Sequence, residues 1–167
     1  EKLYKACGIE DPDNVADLQD AADTYLEVKS PDELISEIKK NLYVTQVKQE
    51  HKNLYTQDWQ RVYTTNYDEI PILSSKESEK PLYPVTLSDD VQIERENRKQ
   101  CIYINGYIGK LNKNTLQSEF KLSGRSYSAE ALNDSPWSAI LEDDLLNVDC
   151  VVIVGLSLEY DLDLRRI

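Results

Sequence analysis

Three short polar groups carry the residue types that ligand chemistry needs, and each closes an apolar run. They are Thr64-Thr65-Asn66-Tyr67-Asp68, Asn105-Gly106 and Gly155-Leu156-Ser157. Hydroxyls, carboxamides and backbone N–H groups of this kind can hold an anionic ligand without a charged side chain. In a parallel α/β sheet the loops at the carboxyl ends of strands converge, with helix N-termini, on one crevice. A single polar residue after a strand is more often a cap or an Asx turn than a ligand contact. The recurrence at three strand ends is what points to a shared crevice. Other candidates are weaker. Asp143-Asp144 and Asp161-Leu162-Asp163 have no His or Cys beside them, so they read as solvated or helix-capping carboxylates rather than metal ligands. Cys7, Cys101 and Cys150 are far apart and form no CxxC pair, so they read as reduced and mostly structural. Cys150, opening an apolar run, reads as a small buried hydrophobe.

The elements that must position these groups follow from periodicity. Val15, Leu18, Ala22, Tyr25 and Leu26 keep helical spacing between Asp13 and Val28. Ser30-Pro31-Asp32-Glu33 is a helix start, with Ser as N-cap, Pro in the first turn and Glu placed to close a capping box. Leu34, Ile35, Ile38 and Leu42 give that helix a buried stripe. His51 falls in a polar stretch, and Trp59 to Asn66 reads as a strand ending in the polar triplet Asn66-Tyr67-Asp68. Ser74 to Pro81 is a polar connector, and Leu82 to Leu87 a short strand that Pro84 confines to an edge or irregular path. Ile93 to Gln100 is a solvated loop or helix face. Cys101 to Ile104 is a buried strand broken at Asn105-Gly106, and Ser135-Pro136-Trp137 starts a helix with Trp137, Ile140, Leu141 and Leu145 inward. Cys150 to Val154, apolar on both faces, suits a central parallel strand covered by helices. Asp161 to Ile167 reads as the start of a further helix. Trp59 and Trp137 are core anchors. The pattern is α/β.

Composition narrows the partners. The 167 residues suit one domain, with residues 1–58 mainly helical and 59–167 carrying the strands and ligand loops. Nineteen Lys and Arg against 31 Asp and Glu leave a net charge of −12. That argues against nucleic acid or an anionic membrane as the main partner. No stretch approaches the ~20 apolar residues of a membrane helix, and a reducing cytoplasm is the expected compartment. Eleven Tyr against one Phe imply many half-buried aromatic positions, suited to contacts with another domain or a second copy. The absence of Met suggests a segment of a longer protein.

The string Arg61-Val62-Tyr63-Thr64-Thr65-Asn66-Tyr67-Asp68 resembles the TTNYD signature of bacterial sirtuin-like domains. The Cys101 to Gly109 strand and turn, Phe120-Lys121-Leu122, Ser126-Tyr127 and Ser135-Pro136-Trp137 follow in the order that family shows. Val151 to Asp163 closes with a similar GxSLxxDxD pattern, so the likeness covers about two-thirds of the chain. The resemblance implies a Rossmann-like parallel sheet that binds NAD. In the bacterial defence branch it implies hydrolysis of NAD, as substrate, to nicotinamide and ADP-ribose during phage infection (abortive infection). It places Asn66 at the scissile carbon, orienting water or the ribose, and Asp68 at the nicotinamide end. Thr65 supports that loop, and Gly155 and Ser157 lie against the adenosine ribose. Such chemistry needs stabilisation of an oxocarbenium-like centre and a placed nucleophile.

Two departures from the family follow. Its Gly-rich phosphate loop has no counterpart among the five Gly here, which implies a fragment lacking the first strand and that loop. Its histidine position corresponds to Tyr103 in relatives reading HxNG and to Asn105 in those reading HG. A tyrosine there, with an ordinary pKa near ~10, is a poor base at neutral pH but can hold a ribose hydroxyl. His51, the only histidine, precedes the TTNYD loop and is out of order for that role. Two functions therefore stand side by side: an NAD glycohydrolase, working or impaired by Tyr103, and a non-catalytic nucleotide-sensing or oligomerisation module. Either would act with other domains of a longer chain or with partner subunits of a defence complex, and as a homo-oligomer. Sirtuin-type deacylation is disfavoured, because three Cys cannot make a four-Cys zinc module.

Overall fold

Short runs rich in β-branched and aromatic residues build three strands: β1 (Val62–Thr64), β2 (Leu82–Thr86) and β3 (Lys99–Tyr103). The computed structural model of the chain describes residues 18–91, 98–122 and 135–155. The strands form one parallel sheet in the order β1-β3-β2. Helices pack against it, so the architecture is α/β and Rossmann-like. Thr64, Tyr103 and Thr86 share one register row, which ends the sheet on its carboxyl side. Pro84 lies on β2, an edge strand, as a residue without an N–H requires.

Period-two alternation on β3 sends Ile102, with Ile104 just beyond the strand, to one face and Cys101 and Tyr103 to the other. The helices are α1 (Leu18–Val28), α2 (Pro31–Leu42), α3 (Gln49–Tyr55), α4 (Ile70–Ser75), α5 (Lys113–Ser118) and α6 (Pro136–Asn147). Trp137, Ile140 and Leu141 of α6 cover Val85, Ile102 and Ile104. Tyr55 of α3 and Ile72 of α4 cover Leu82, Cys101 and Tyr103 on the opposite face. Another core joins Ala22 and Tyr25 of α1, Leu34 and Ile38 of α2, and Leu116 and Phe120 around α5. It lies alongside the turn that follows β3, because Ile108 of that turn belongs to it.

The helix starts form for the reasons their sequences state. Ser30 Oγ accepts from the Glu33 N–H (3.3 Å) and the Ser30 N–H donates to Glu33 Oε2 (3.0 Å), which closes the capping box. Ser135 Oγ accepts from the Trp137 N–H ahead of α6. Residues before Leu18, the segments 92–97 and 123–134, and Leu156 onward lie outside the described residues. Several expectations need correction. Cys150 to Val154 is not a strand, and Val151 to Val154 are 50–70% exposed. An apolar run becomes a central strand only where a neighbour strand and covering helices receive it. Among the described residues β1 pairs with β3 alone and no strand flanks its other edge. Cys150 is accordingly exposed rather than buried. His51 stands in helix α3, and the connector expected from Ser74 begins inside α4, where Ser75 is fully buried. Its hydroxyl donates to Ile72 O and accepts from the Leu82 N–H (3.0 Å), so burial leaves it satisfied. The strand expected over Trp59 to Asn66 is shorter, Val62–Thr64 only; after it the Thr65 carbonyl accepts from a side chain, Asn105 Nδ2, rather than from a neighbouring strand.

Candidate functional site

The loop after β1 is pinned residue by residue to β3 and the turn that follows. Thr64 O accepts from the Ile104 N–H (2.9 Å), and Tyr67 O from the Ile108 N–H (2.9 Å). Thr65 O accepts from Asn105 Nδ2 (3.1 Å), and Asp68 O from the Tyr103 hydroxyl (2.9 Å). Glu69 Oε1 accepts from the Tyr107 hydroxyl (3.1 Å). The Tyr67 ring stacks on Phe120 with centroids 4.5 Å apart, and its hydroxyl donates to Lys121 O. Asn66 alone is left out of this lattice. Its backbone N–H donates to Thr64 Oγ1 (3.1 Å), a local ST turn. Its side chain is exposed and makes no hydrogen bond among the described residues.

Asp68 Oδ1 accepts from the Ile70 N–H (2.9 Å) at the start of α4. Its other carboxylate oxygen has no hydrogen-bond partner among the described residues, and the side chain is half-buried. Among the described residues the free side-chain groups of the loop are therefore the Asn66 carboxamide, the Thr65 hydroxyl and one oxygen of Asp68. A cleft of about 210 Å³, lined by Lys39, Leu42, Tyr43, Glu69, Ile108 and Gly109, opens beside this loop. Ligand pockets for whole drug-sized molecules run to ~300–1,000 Å³. This one admits a ring or a sugar rather than a complete dinucleotide.

Tyr103 is fully buried. Burial pushes its phenol far above the ordinary range, and the neighbouring Cys101, Tyr107, Asp68 and Tyr55 add to the effect. It stays protonated and spends its proton on Asp68 O, so here it fixes the loop and has no proton to accept at neutral pH. The Cys101 thiol is likewise pushed up, by burial, and is inert as a nucleophile. Asn105 is nearly as buried as Tyr103 and acts through Thr65 O. Gly106, at φ +99°, makes the reversal after β3. The ends of β1 and β3 are thus joined in one place. Gly155 is not joined to them: it has φ +63°, and a Cβ placed on it would meet nothing within 4 Å. Ser157 lies outside the described residues.

Sequence reasoning missed a polar cluster at the carboxyl end of β2. The Thr86 N–H donates to Asp89 Oδ2 (2.7 Å), and the Thr86 hydroxyl lies 3.1 Å from Asp89 Oδ2 and 3.3 Å from Glu119 Oε2. Lys110 pairs with Asp89, and the Trp137 indole N–H donates to Asp89 O (3.1 Å). The only signal in the sequence was Thr86-Leu87-Ser88-Asp89 after a strand. No group of three or more His, Cys, Asp or Glu that could hold a metal ion occurs among the described residues. Among them, too, no helix is long and apolar enough to cross a membrane. The chain matches no protein-family model and no curated protein. What the arrangement can do chemically rests on the loop itself: a held frame that presents the Thr65 hydroxyl, the Asn66 carboxamide and one oxygen of Asp68, next to a cleft that Glu69 and Ile108 line.

Proposed function

We propose that the chain is an NAD-binding sirtuin-like effector domain that hydrolyses NAD to nicotinamide and ADP-ribose in prokaryotic anti-phage defence. One observation supports this most: every residue of the Thr64–Asp68 loop is held by β3 or its turn except Asn66, whose side chain is free. A glycosidic bond to a cationic leaving group breaks with little acid catalysis. It gains from a fixed group that orients water or ribose at the scissile carbon. Asn66 takes that role in this reading, and Asp68 faces the nicotinamide end. Thr65 supports the loop, and Asn105 ties it down through Thr65. The domain works in the cytoplasm, as a homo-oligomer, with other domains of a longer chain or with partner subunits of a defence complex.

Asn66→Ala tests the mechanism. The side chain is exposed and unbonded, so thermal stability should stay within about 0.5 kcal/mol. Nicotinamide release by the triggered protein should fall at least tenfold. Unchanged release would remove Asn66 from the mechanism. The buried, committed hydroxyl of Tyr103 favours a second reading, in which the same loop binds NAD or ADP-ribose without cleaving it and alters how protomers pack. Under the hydrolase reading with an impaired copy, Tyr103→His raises nicotinamide yield by about 10²–10⁴-fold, the contribution of one general base. Under the sensing reading, NAD raises the melting temperature while the yield stays at background in both forms.

A further inference from the structure

The opposite, amino-terminal end of the sheet carries an opening that the function above does not use. A cleft of about 770 Å³ is lined there by Gln60, Glu79, Lys80, Tyr83, Arg98 and Lys99, among others. Gln60 precedes β1, Tyr83 stands at the second position of β2, and Arg98 and Lys99 lead into β3. Three cations therefore face one space in a chain of net charge −12. Two carboxylates stand near these three cations: Glu79, which lines the same space, and Asp58. Asp58 is shared between Lys99 Nζ (2.8 Å) and Lys80 Nζ (3.7 Å), and its own side chain is 80% exposed. The Lys99 hydrogen bond and the charges of both lysines hold the Asp58 carboxyl below its usual range. Among the described residues no carboxylate pairs with Arg98. Its guanidinium instead lies 4.8 Å from the centroid of the Tyr83 ring, in cation–π contact.

We propose that this cleft is a second ligand site, which takes a phosphate-bearing nucleotide. The phosphates displace exposed Asp58 from the front of Lys80 and Lys99 and accept hydrogen bonds from Arg98, whose planar fork suits phosphate oxygens. The base stacks against the Tyr83–Arg98 pair, since every base offers a π-face to an aromatic ring. The cleft's size lies within the range of small-molecule sites. It is a site distinct from the Asn66 loop, at the other end of the strands, and it does not depend on NAD cleavage.

Titration of the full chain with ADP, read by calorimetry and by amide chemical shifts, tests the assignment. Saturable binding is expected, with shifts at Lys80, Tyr83, Arg98 and Lys99. Arg98→Ala and Lys80→Ala, both at exposed positions, should each weaken it about tenfold, and Tyr83→Ala about fivefold or more. Inorganic pyrophosphate should bind at least fivefold more weakly than ADP, adenosine should not saturate, and affinity should fall with added salt. Shifts confined to Lys80, Tyr83, Arg98 and Lys99, with none at Thr65, Asn66 or Asp68, separate this site from the loop. Equal affinity for pyrophosphate and ADP would overturn the nucleotide assignment. So would unchanged binding in the folded Arg98→Ala/Lys80→Ala double variant, or no saturable binding at all. Shifts at the Asn66 loop with none at the cleft, or saturable binding of a poly-glutamate peptide with none of ADP, would overturn it as well.

Discussion

Removing the Asp144 carboxylate should cost this fold more than any other single truncation on its surface-facing helices. Asp144 lies in the last turn of α6, yet it is buried. It pairs with Arg61 Nη1 and accepts from the Tyr63 hydroxyl (2.6 Å), with Gln60 Nε2 at 3.4 Å. The Arg61 Nε–H donates to Gln100 Oε1 (3.0 Å), so the guanidinium bridges α6, β1 and β3. The Arg61 and Asp144 side chains are only 17% and 10% exposed. Burial alone would lower the Arg61 pKa, but the bond to Asp144 and the interaction with Tyr63 outweigh it and raise it. In Asp144→Ala the guanidinium remains charged, because arginine does not deprotonate in proteins, and it remains buried without its counter-ion. Breaking a buried pair from one side costs about 3–5 kcal/mol. A domain's whole stability is about 5–15 kcal/mol, so the melting temperature should drop by about 6–20 °C. Urea unfolding of the parent, Asp144→Ala, Arg61→Met and the Arg61→Met/Asp144→Leu pair would measure this. The double replacement should recover most of the loss, since apolar residues of similar volume often substitute for a buried pair without penalty. A loss below about 1 kcal/mol for Asp144→Ala, at unchanged m, would refute the argument.

The two left-handed glycines should respond differently to Ala. At Gly106 a Cβ would stand 2.8 Å from Phe120 Cα and 3.0 Å from Glu119 O. Both are backbone atoms, and the φ of +99° adds its own penalty of ~1–2 kcal/mol. Gly106→Ala should therefore lose more than about 2 kcal/mol by urea unfolding, whereas Gly155→Ala, with open space around it, should lose only the conformational ~1 kcal/mol. Equal losses would mean that the contact with Phe120 is not tight. Stability should also fall in alkali. Burial first, and then Glu69, push the Tyr107 phenol up to about 12, and burial pushes Tyr103 and Tyr63 higher still. A raised folded pKa contributes stability that is whole below the unfolded value and is lost as pH rises past it. The loss should begin near about pH 10 and track tyrosinate absorbance. A stability unchanged from about pH 9 to about pH 11 would contradict that sign.

Local signals in this sequence were legible where the physics is local. The Ser30–Glu33 box and the Ser135-Pro136 start are satisfied by atoms within three residues, so a sequence window contains the whole cause. The apolar run ending in Ile104, and Pro84 on an edge strand, likewise follow from residue type. Val151 to Val154 failed because burial is a property of neighbours: the same side chains are core beside a strand and 50–70% exposed without one. Helices α3 and α4 were missed because each is too short to show a helical period: α3 has seven residues, mostly polar, and α4 has six that open on Ile70-Pro71. Of the loop after β1, the residue types were readable and the anchoring was not. Its partners Ile104, Asn105 and Ile108 lie some 40 residues away in sequence. The Arg61–Asp144 bridge spans 83 positions, and no pattern of spacing announces it.

Tyr103 shows how one position can serve the frame or the chemistry. A phenol carries a single oxygen; here its proton goes to Asp68 O, inside an environment that opposes ionisation. An imidazole has two ring nitrogens, so one can donate to a neighbour while the other accepts a proton from a ligand. Tyr103 therefore secures the loop, and under the hydrolase proposal it does so in place of a base. The loop does not depend on that bond alone, since Thr64, Thr65 and Tyr67 are each held by a separate donor from β3 or its turn. A histidine at this position would be too short to replace the hydroxyl at Asp68 O, yet the other three bonds would keep Asn66 in place. A gain in Tyr103→His, expected only under the impaired-hydrolase reading, would therefore read out the base itself rather than a reordered loop. Unchanged amide shifts at Thr64, Thr65 and Tyr67 in that variant would separate the two.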